Sequence, residues 1–582
     1  MEITGSQLII NSLIEEGVDK IFAYPGGYDK DIFDALYHEK DIELILPRHE
    51  QGLIHAAEGY ARSTGKVGVC LVTSGPGATN LVTGIADANY DGIPLVCFTG
   101  QVATSVIGND AFQEVDIVGI TRTICKYSTT IRKREDLGRV IKEAFYIAKT
   151  GKPGPVVVDL PSNIVSEFGP SEYPKSVDIR GYKPSTGVHI GQIKKALEML
   201  KGAKKPLFLI GGGVNISRAN EELEKLVYIT NVPVITTIMG KGAIPTSHPL
   251  FIGNVGMHGS YAANRAVNEC DVLFSIGTRF NDRVTGKISE FAPNAKIIHI
   301  DIDSASISRN IVVNIPIVAD AKNAIKELIP LAEKLNTKQW VDEIKTWDKK
   351  HPVTAPSSVE GFISPQSIFE NLNKVFTDGI FVTDVGQHQM WTTQFLEMNK
   401  NKQLITSGGL GTIGFGLPAA IGAQLGNPDK RVVCIAGDGG VQMTIQELVT
   451  AVQLELPITL IIINNGFLGM VRQMQQFFHD KNYSGTCLRK RKSCEGKCNF
   501  NGNNIPECCP PYTPDFIKLA ESYGAYAVRV MDEDKLSDTF KKAKENTDAP
   551  TIIEILIDFK DVVLPMVQGG KSLDDMLLET NY

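Results

Sequence analysis

Residues 431–440 read Arg-Val-Val-Cys-Ile-Ala-Gly-Asp-Gly-Gly, and residues 457–465 read Pro-Ile-Thr-Leu-Ile-Ile-Ile-Asn-Asn. Each begins with a short, β-branched apolar run, the signature of a strand buried on both faces in a parallel sheet. The stretch between them, Thr444 to Leu456, has helical spacing. Strand, turn, helix and strand make one crossover unit, and both runs end in polar residues where open α/β sheets bind ligands. The Asp438 carboxylate and the Asn465 amide oxygen suit a hard divalent cation such as Mg²⁺. Glycines at 437, 439 and 440 let a diphosphate come close to the backbone.

The rest of the 582-residue chain extends this pattern. Its length predicts about two to four domains. The net charge of −7 gives no global attraction to nucleic acid or to an anionic membrane. No apolar run approaches the roughly 20 residues of a membrane span. Met1-Glu-Ile-Thr-Gly-Ser6 lacks the features of a signal or transit peptide, so a cytoplasmic enzyme is expected. Residues 1–165 alternate helix and strand patterns, with strands at Lys20–Tyr24, Val67–Thr73, Pro94–Thr99 and Pro155–Leu160 and a helix at Ser6–Glu16. Residues 191–335 form a second such block, in which Pro206–Ile210 runs into Gly211-Gly-Gly213, and 365–582 form a third. Polar, proline-bearing stretches at about 166–190 and 336–364 read as linkers. The fold class is α/β, with three doubly wound domains and mainly parallel sheets. The first and third blocks share no visible sequence repeat, although they could share a fold.

A second cluster, Arg48-His-Glu-Gln-Gly52, opens a helix of small residues, Ala56-Ala-Glu-Gly-Tyr-Ala61. Taken alone, Glu50 could simply be a favourable charge at a helix N-terminus. Beside the Gly-Asp-Gly and Asn-Asn pair it resembles the activating glutamate of thiamine diphosphate (ThDP) enzymes. That chemistry needs one carboxylate against the cofactor's pyrimidine in a dry site, where desolvation raises its pKa.

Ordered matches along nearly the whole chain resemble the acetolactate synthase (acetohydroxyacid synthase) large-subunit family, with its pyruvate oxidase-like architecture. They include Tyr24-Pro-Gly-Gly27, Thr73-Ser-Gly-Pro-Gly-Ala-Thr-Asn80, Asp110-Ala-Phe-Gln-Glu114, Arg279-Phe-Asn-Asp-Arg-Val-Thr-Gly-Lys287, Asp384-Val-Gly-Gln-His-Gln-Met390 and Gly408-Gly-Leu-Gly-Thr-Ile-Gly414. The resemblance implies a ThDP pyrimidine-binding domain over 1–165, an FAD-binding-like domain over 191–335 and a diphosphate-binding domain over 365–582. It implies decarboxylation of pyruvate and transfer of the two-carbon unit to a second 2-oxo acid, pyruvate or 2-oxobutyrate, the first step of branched-chain amino acid synthesis. It also implies a homodimer or homotetramer in which Glu50 and Asp438 come from different subunits, and it allows a regulatory small subunit.

Residue roles follow the same resemblance. Asp438, Asn465 and the Phe467 carbonyl would hold Mg²⁺. Gln387, His388, Gly411, Gly439, Gly440 and Met470 would contact ThDP, with Ile413 wedged beneath it. Gly27, Phe112, Gln113 and Lys126 would line the substrate pocket, although Phe112 also reads as a core aromatic and Lys126 as a surface charge. Arg283 would hold the acceptor carboxylate with its planar fork. FAD, structural because the reaction has no net redox change, would contact Lys152, Gly211, Gly212, Ile238, Met239, His258, Gly277, Arg279, Arg283, Val284, Asp301, Ile302 and Asp320.

Several positions depart from the family pattern. Met474 stands where a Trp usually favours 2-oxobutyrate, so that preference is expected to weaken. Tyr28 replaces a small residue after Tyr-Pro-Gly-Gly, which either reshapes the pocket or turns outward. Lys152 replaces Arg and cannot supply its fork to a diphosphate. An insertion at about 486–511 carries Cys487, Cys494, Cys498, Cys508 and Cys509 with the basic run Arg489–Lys492. It reads as a basic surface loop or, through Cys494-x3-Cys498 with Cys508 or Cys509, as a Zn²⁺ site. Two other functions stay open: a related ThDP lyase or decarboxylase acting on another 2-oxo acid or diketone, and a non-catalytic cofactor-binding interaction protein.

Overall fold

The computed structural model describes residues 2–185, 187–357, 362–489, 492 and 514–579. Three six-stranded parallel sheets carry the chain, each with helices on both faces. The N-terminal sheet runs, edge to edge, Glu43–Ile45, Lys20–Tyr24, Gly68–Val72, Leu95–Gln101, Pro155–Pro161 and Tyr127–Thr130. The C-terminal sheet runs Lys402–Thr406, Gly379–Thr383, Val432–Gly437, Thr459–Asn464, Thr551–Leu556 and Tyr526–Val530. Numbered in chain order, the strands of both sheets follow the order 2-1-3-4-6-5, so the two blocks share one topology. The central sheet follows 3-2-1-4-5-6, the order of dinucleotide-binding folds.

Each order has a point where the chain changes direction across the sheet, and there the strand ends splay to form a crevice. In the C-terminal sheet this lies between Gly379–Thr383 and Val432–Gly437, whose ends lead into Asp384–His388 and Asp438. In the central sheet it lies between Pro206–Ile210 and Val272–Ile276, whose ends lead into Gly211–Gly213 and Gly277–Arg279.

The N-terminal and C-terminal blocks touch through an unusually close helix pair, Glu50–Thr64 against Gly416–Gly426. A Cβ at Gly59 would lie 1.9 Å from the Ala419 carbonyl oxygen, and one at Gly422 would lie 1.7 Å from that of Ala56. Only glycine permits this approach.

Two elements differ from expectation. The helix Lys338–Lys350 occupies the stretch read as a linker and buries Trp340, Val341 and Ile344 on the central unit. The Trp340 indole N–H donates to the Pro206 carbonyl at 3.0 Å. The prolines at 352 and 356 sit after this helix and do not interrupt it. The helix expected over Thr444–Leu456 is a 3₁₀ turn, Ile445–Glu447, followed by Leu448–Gln453. The chain beyond Phe559 leaves its own sheet: Val567 and Leu573 pack into the central core, and the Val567 amide donates to the Met257 carbonyl. Among the described residues no helix is long and apolar enough to cross a membrane. Cys494, Cys498, Cys508 and Cys509, and with them the Zn²⁺ reading, lie outside the described residues.

Candidate active site

The crevices of the central and C-terminal sheets open into one cavity of about 610 Å³, within the range of small-molecule sites. Its C-terminal wall is built from Gln387, His388, Gly411, Ile413, Asp438, Gly439, Gly440, Asn465, Phe467, Met470 and Met474. Asp438 is the first residue of the short helix Asp438–Val441, directly after its strand. Its Oδ2 is buried without a hydrogen-bond partner, and so is His388 Nε2. Burial pushes the Asp438 carboxyl up to about 7 and the His388 imidazole down to about 4. Buried carboxylates are normally paired or metal-bound, so an orphaned carboxylate oxygen beside an amide and a carbonyl is a fit for a hard cation.

The surrounding backbone is held from below. Asp384, fully buried, accepts from the amides of Val385 (2.7 Å), Gly414 (3.1 Å) and Gly416 (3.0 Å). A Cβ at Gly440 would stand 2.5 Å from its Oδ1. Sequence reading quoted Asp384 without giving it a role; its signal was a carboxylate at a strand end facing a glycine-rich loop. Asn465 donates to Gln387 Oε1 at 3.0 Å, and its own oxygen accepts the Phe467 amide at 3.0 Å.

The central wall brings together Gly212, Ile238, Met239, His258, Gly277, Arg279, Arg283, Val284, Asp301, Ile302, Asp320 and Lys152. Gly211 stands behind this wall, because a Cβ there would meet the Gly277 carbonyl oxygen at 2.1 Å. The Arg279 guanidinium stacks 5.9 Å from the Tyr90 ring centroid. Burial, and then Arg279, hold the Lys152 ammonium below its usual range. A crevice at the switch point of a dinucleotide-type sheet, with two cations and close-packed glycines, fits a dinucleotide diphosphate.

The remaining expected residues do not line this cavity. Glu50 opens its helix on the N-terminal block, where its Oε2 accepts from Asn80 at 2.9 Å. The turn before it is gripped by buried Glu447, whose carboxylate accepts the amides of Arg48 and His49 at 3.0 Å. Gly27, Tyr28, Phe112 and Gln113 gather at the carboxyl end of the N-terminal sheet. Phe112 is 78% exposed, not a core aromatic. The Tyr28 phenol donates to the Phe112 carbonyl at 2.9 Å. Lys126 stands apart from them, and here the expected pocket role meets a structural one. Its ammonium donates to the Thr150 carbonyl at 2.7 Å and to the Tyr182 hydroxyl at 2.9 Å, and also to the Ile147 carbonyl.

Sequence reading also missed a buried ionic network. Arg62 donates to Glu58, Asp87 and Asp91 at 3.2, 3.3 and 2.9 Å and to the Thr406 carbonyl at 3.1 Å. Asp87 accepts from Ser407 and from Thr412 (3.1 Å) on the cavity's glycine-rich loop. His55, Glu58 and Asp87 approach closely enough to hold a metal, but Arg62 already supplies the positive charge.

Comparison with known proteins agrees with this geometry. Residues 3–120, 193–328 and 384–555 match the family models "Thiamine pyrophosphate enzyme, N-terminal TPP binding domain", "central domain" and "C-terminal TPP binding domain". The chain is 41% identical to acetolactate synthase isozyme 3 large subunit of Escherichia coli (strain K12), covering 99% of this chain and 98% of that protein. It is 43% identical to acetolactate synthase large subunit of Cyanidium caldarium, covering 99% and 96%. The chain belongs to the acetolactate synthase large-subunit family. A probable acetolactate synthase large subunit of Methanococcus aeolicus, 44% identical over 98% of this chain, widens the family's spread. Within this ThDP-enzyme family, the two blocks of equal topology are the two TPP-binding domains.

Proposed function

We propose that this chain is the catalytic subunit of an acetolactate synthase, joining the two-carbon unit of pyruvate to a second 2-oxo acid. The observation that carries it is the orphaned Asp438 carboxylate beside Asn465 and Phe467 at the switch point of a TPP-binding domain. When bound, ThDP supplies the nucleophilic carbon and the electron sink that decarboxylation needs.

The chain's own residues do the rest. Asp438, Asn465 and the Phe467 carbonyl would hold Mg²⁺, and Gly439 and Gly440 on the same wall would leave room for the diphosphate to approach. His388, neutral at physiological pH, donates or accepts one hydrogen bond there without adding charge. Glu50 would be the carboxylate that meets the cofactor's pyrimidine and holds a proton there. It does not line the cavity of its own chain, which supports a site completed by a second copy and hence at least a homodimer. Arg283, more than half exposed at the cavity wall and only loosely paired with Asp282 at 3.8 Å, would turn its fork to the acceptor carboxylate. The central crevice takes FAD as a structural ligand. Tyr28, bonded to Phe112, is engaged within its own loop cluster, which favours pyruvate over an altered donor.

The test is product identification. Purified protein with ThDP, Mg²⁺, FAD and pyruvate should form 2-acetolactate, and added 2-oxobutyrate should yield mixed product with reduced preference because Met474 lacks an indole. Acetaldehyde alone, or no turnover with ThDP bound, would contradict the assignment.

A further inference from the structure

The insertion enters the fold at the metal loop. Its first residues, Thr486 to Arg489, lie antiparallel to Gly466–Leu468. The Leu468 amide donates to the Thr486 carbonyl at 2.8 Å, and the Leu488 amide to the Gly466 carbonyl at 2.9 Å. This seats Arg489, the first of a basic run that reads as solvated surface, in a buried position (8% exposed). Its Nη2 donates to the Asn465 carbonyl at 2.9 Å, and its guanidinium lies 5.6 Å from the Phe467 ring centroid. Both contacts fall on the loop whose side chain and carbonyl flank Asp438.

We infer that Arg489 is a positioning residue for metal binding: it fixes the Asn465–Phe467 loop through the Asn465 carbonyl. The inference rests on the ThDP reading of the cavity. Three observations converge on it. A buried guanidinium needs partners to offset its desolvation, and two of them here, the Asn465 carbonyl and the Phe467 ring, belong to the metal loop. Gly466 has a φ of +73°, and a Cβ there would meet Arg489 Nε at 1.9 Å, so backbone and arginine fit only each other. The loop's start is separately fixed, Asn464 donating to buried Glu554 at 2.7 Å, and Gln387 holds the Asn465 side chain at 3.0 Å, so Arg489 acts on the backbone that joins the ligands. Outer contacts of this kind orient metal ligands and tune affinity.

The experiment titrates full-length protein with Mg²⁺ at fixed ThDP and follows binding by quenching of intrinsic fluorescence. R489A should raise the half-saturating Mg²⁺ concentration about tenfold or more. R489K should recover part of the loss, because an ammonium reaches one carbonyl but cannot stack its plane on Phe467. If R489A does not fold, R489M, which keeps the apolar stem, faces the same criterion. Half-saturation within about twofold of the parent protein overturns the inference, even if thermal stability falls. D438N separates the two readings. If D438N still binds ThDP with Mg²⁺ like the parent, the cavity assignment itself fails. If D438N is inert while R489A is unchanged, only the role of Arg489 fails.

Discussion

Glu50 and Tyr28 show how little of a side chain's role lies in the side chain. Glu447, from another block, grips the two amides before Glu50 and so aims the carboxylate. Glu50→Gln keeps that turn but removes the acid–base group; turnover should fall by about 10²–10⁴ while ThDP binding persists, measured by single-turnover rates and fluorescence titration. Unchanged turnover would remove Glu50 from catalysis. Tyr28→Phe deletes a single bond to the Phe112 carbonyl. A net hydrogen bond is worth about 1 kcal/mol, so kcat/KM for pyruvate should drop by no more than about fivefold. A larger loss would mean that the phenol meets substrate directly. That Asp438, Asn465, His388 and Gly439 would gather on one wall was legible because strand ends announce themselves in sequence. Asp384, Glu447 and Arg62 were not, because a buried carboxylate or guanidinium shows its function only through partners distant in the chain.

The helix Glu50–Thr64 is the element on which the two TPP-binding domains meet. Gly59→Ala would push a methyl against the Ala419 carbonyl; overpacking of this kind should cost roughly 3 kcal/mol in chemical denaturation. A cost near zero would show that the helices can separate. The same helix buries His55 as a neutral imidazole, its pKa lowered by burial to about 4. With a folded pKa below the unfolded value of about 6.5, its contribution is complete above that value and is lost as pH falls toward 4. At about 1.4 kcal/mol per pKa unit, the loss reaches at most about 3 kcal/mol. Thermal midpoints should therefore decline between pH 6.5 and 4, and His55→Gln should flatten that decline. The strand readings, such as Lys20–Tyr24 and Pro206–Ile210, coincide with the structure because buried parallel strands are plain apolar runs. The helix Lys338–Lys350 was hidden because its apolar residues are few and its flanks hold prolines.

Over the whole molecule, the shared strand order of the first and third blocks was invisible in sequence. Topology resides in which backbones pair, and unrelated side chains satisfy the same ladder. Three α/β units were legible, but the cavity common to two of them was not; the absence of Glu50 from it accords with the family resemblance, which put Glu50 and Asp438 on different subunits. That absence defines the central claim: one copy supplies the diphosphate and metal wall, and another supplies Glu50. The direct test is to mix two inactive variants, Glu50→Gln and Asp438→Asn, under conditions of demonstrated subunit exchange, and to assay 2-acetolactate. Random exchange makes half of the dimers mixed, each with one intact site, so activity should return to about a quarter of the parent value. Exchange without any recovery would place Glu50 and Asp438 in the same copy's site and contradict the account.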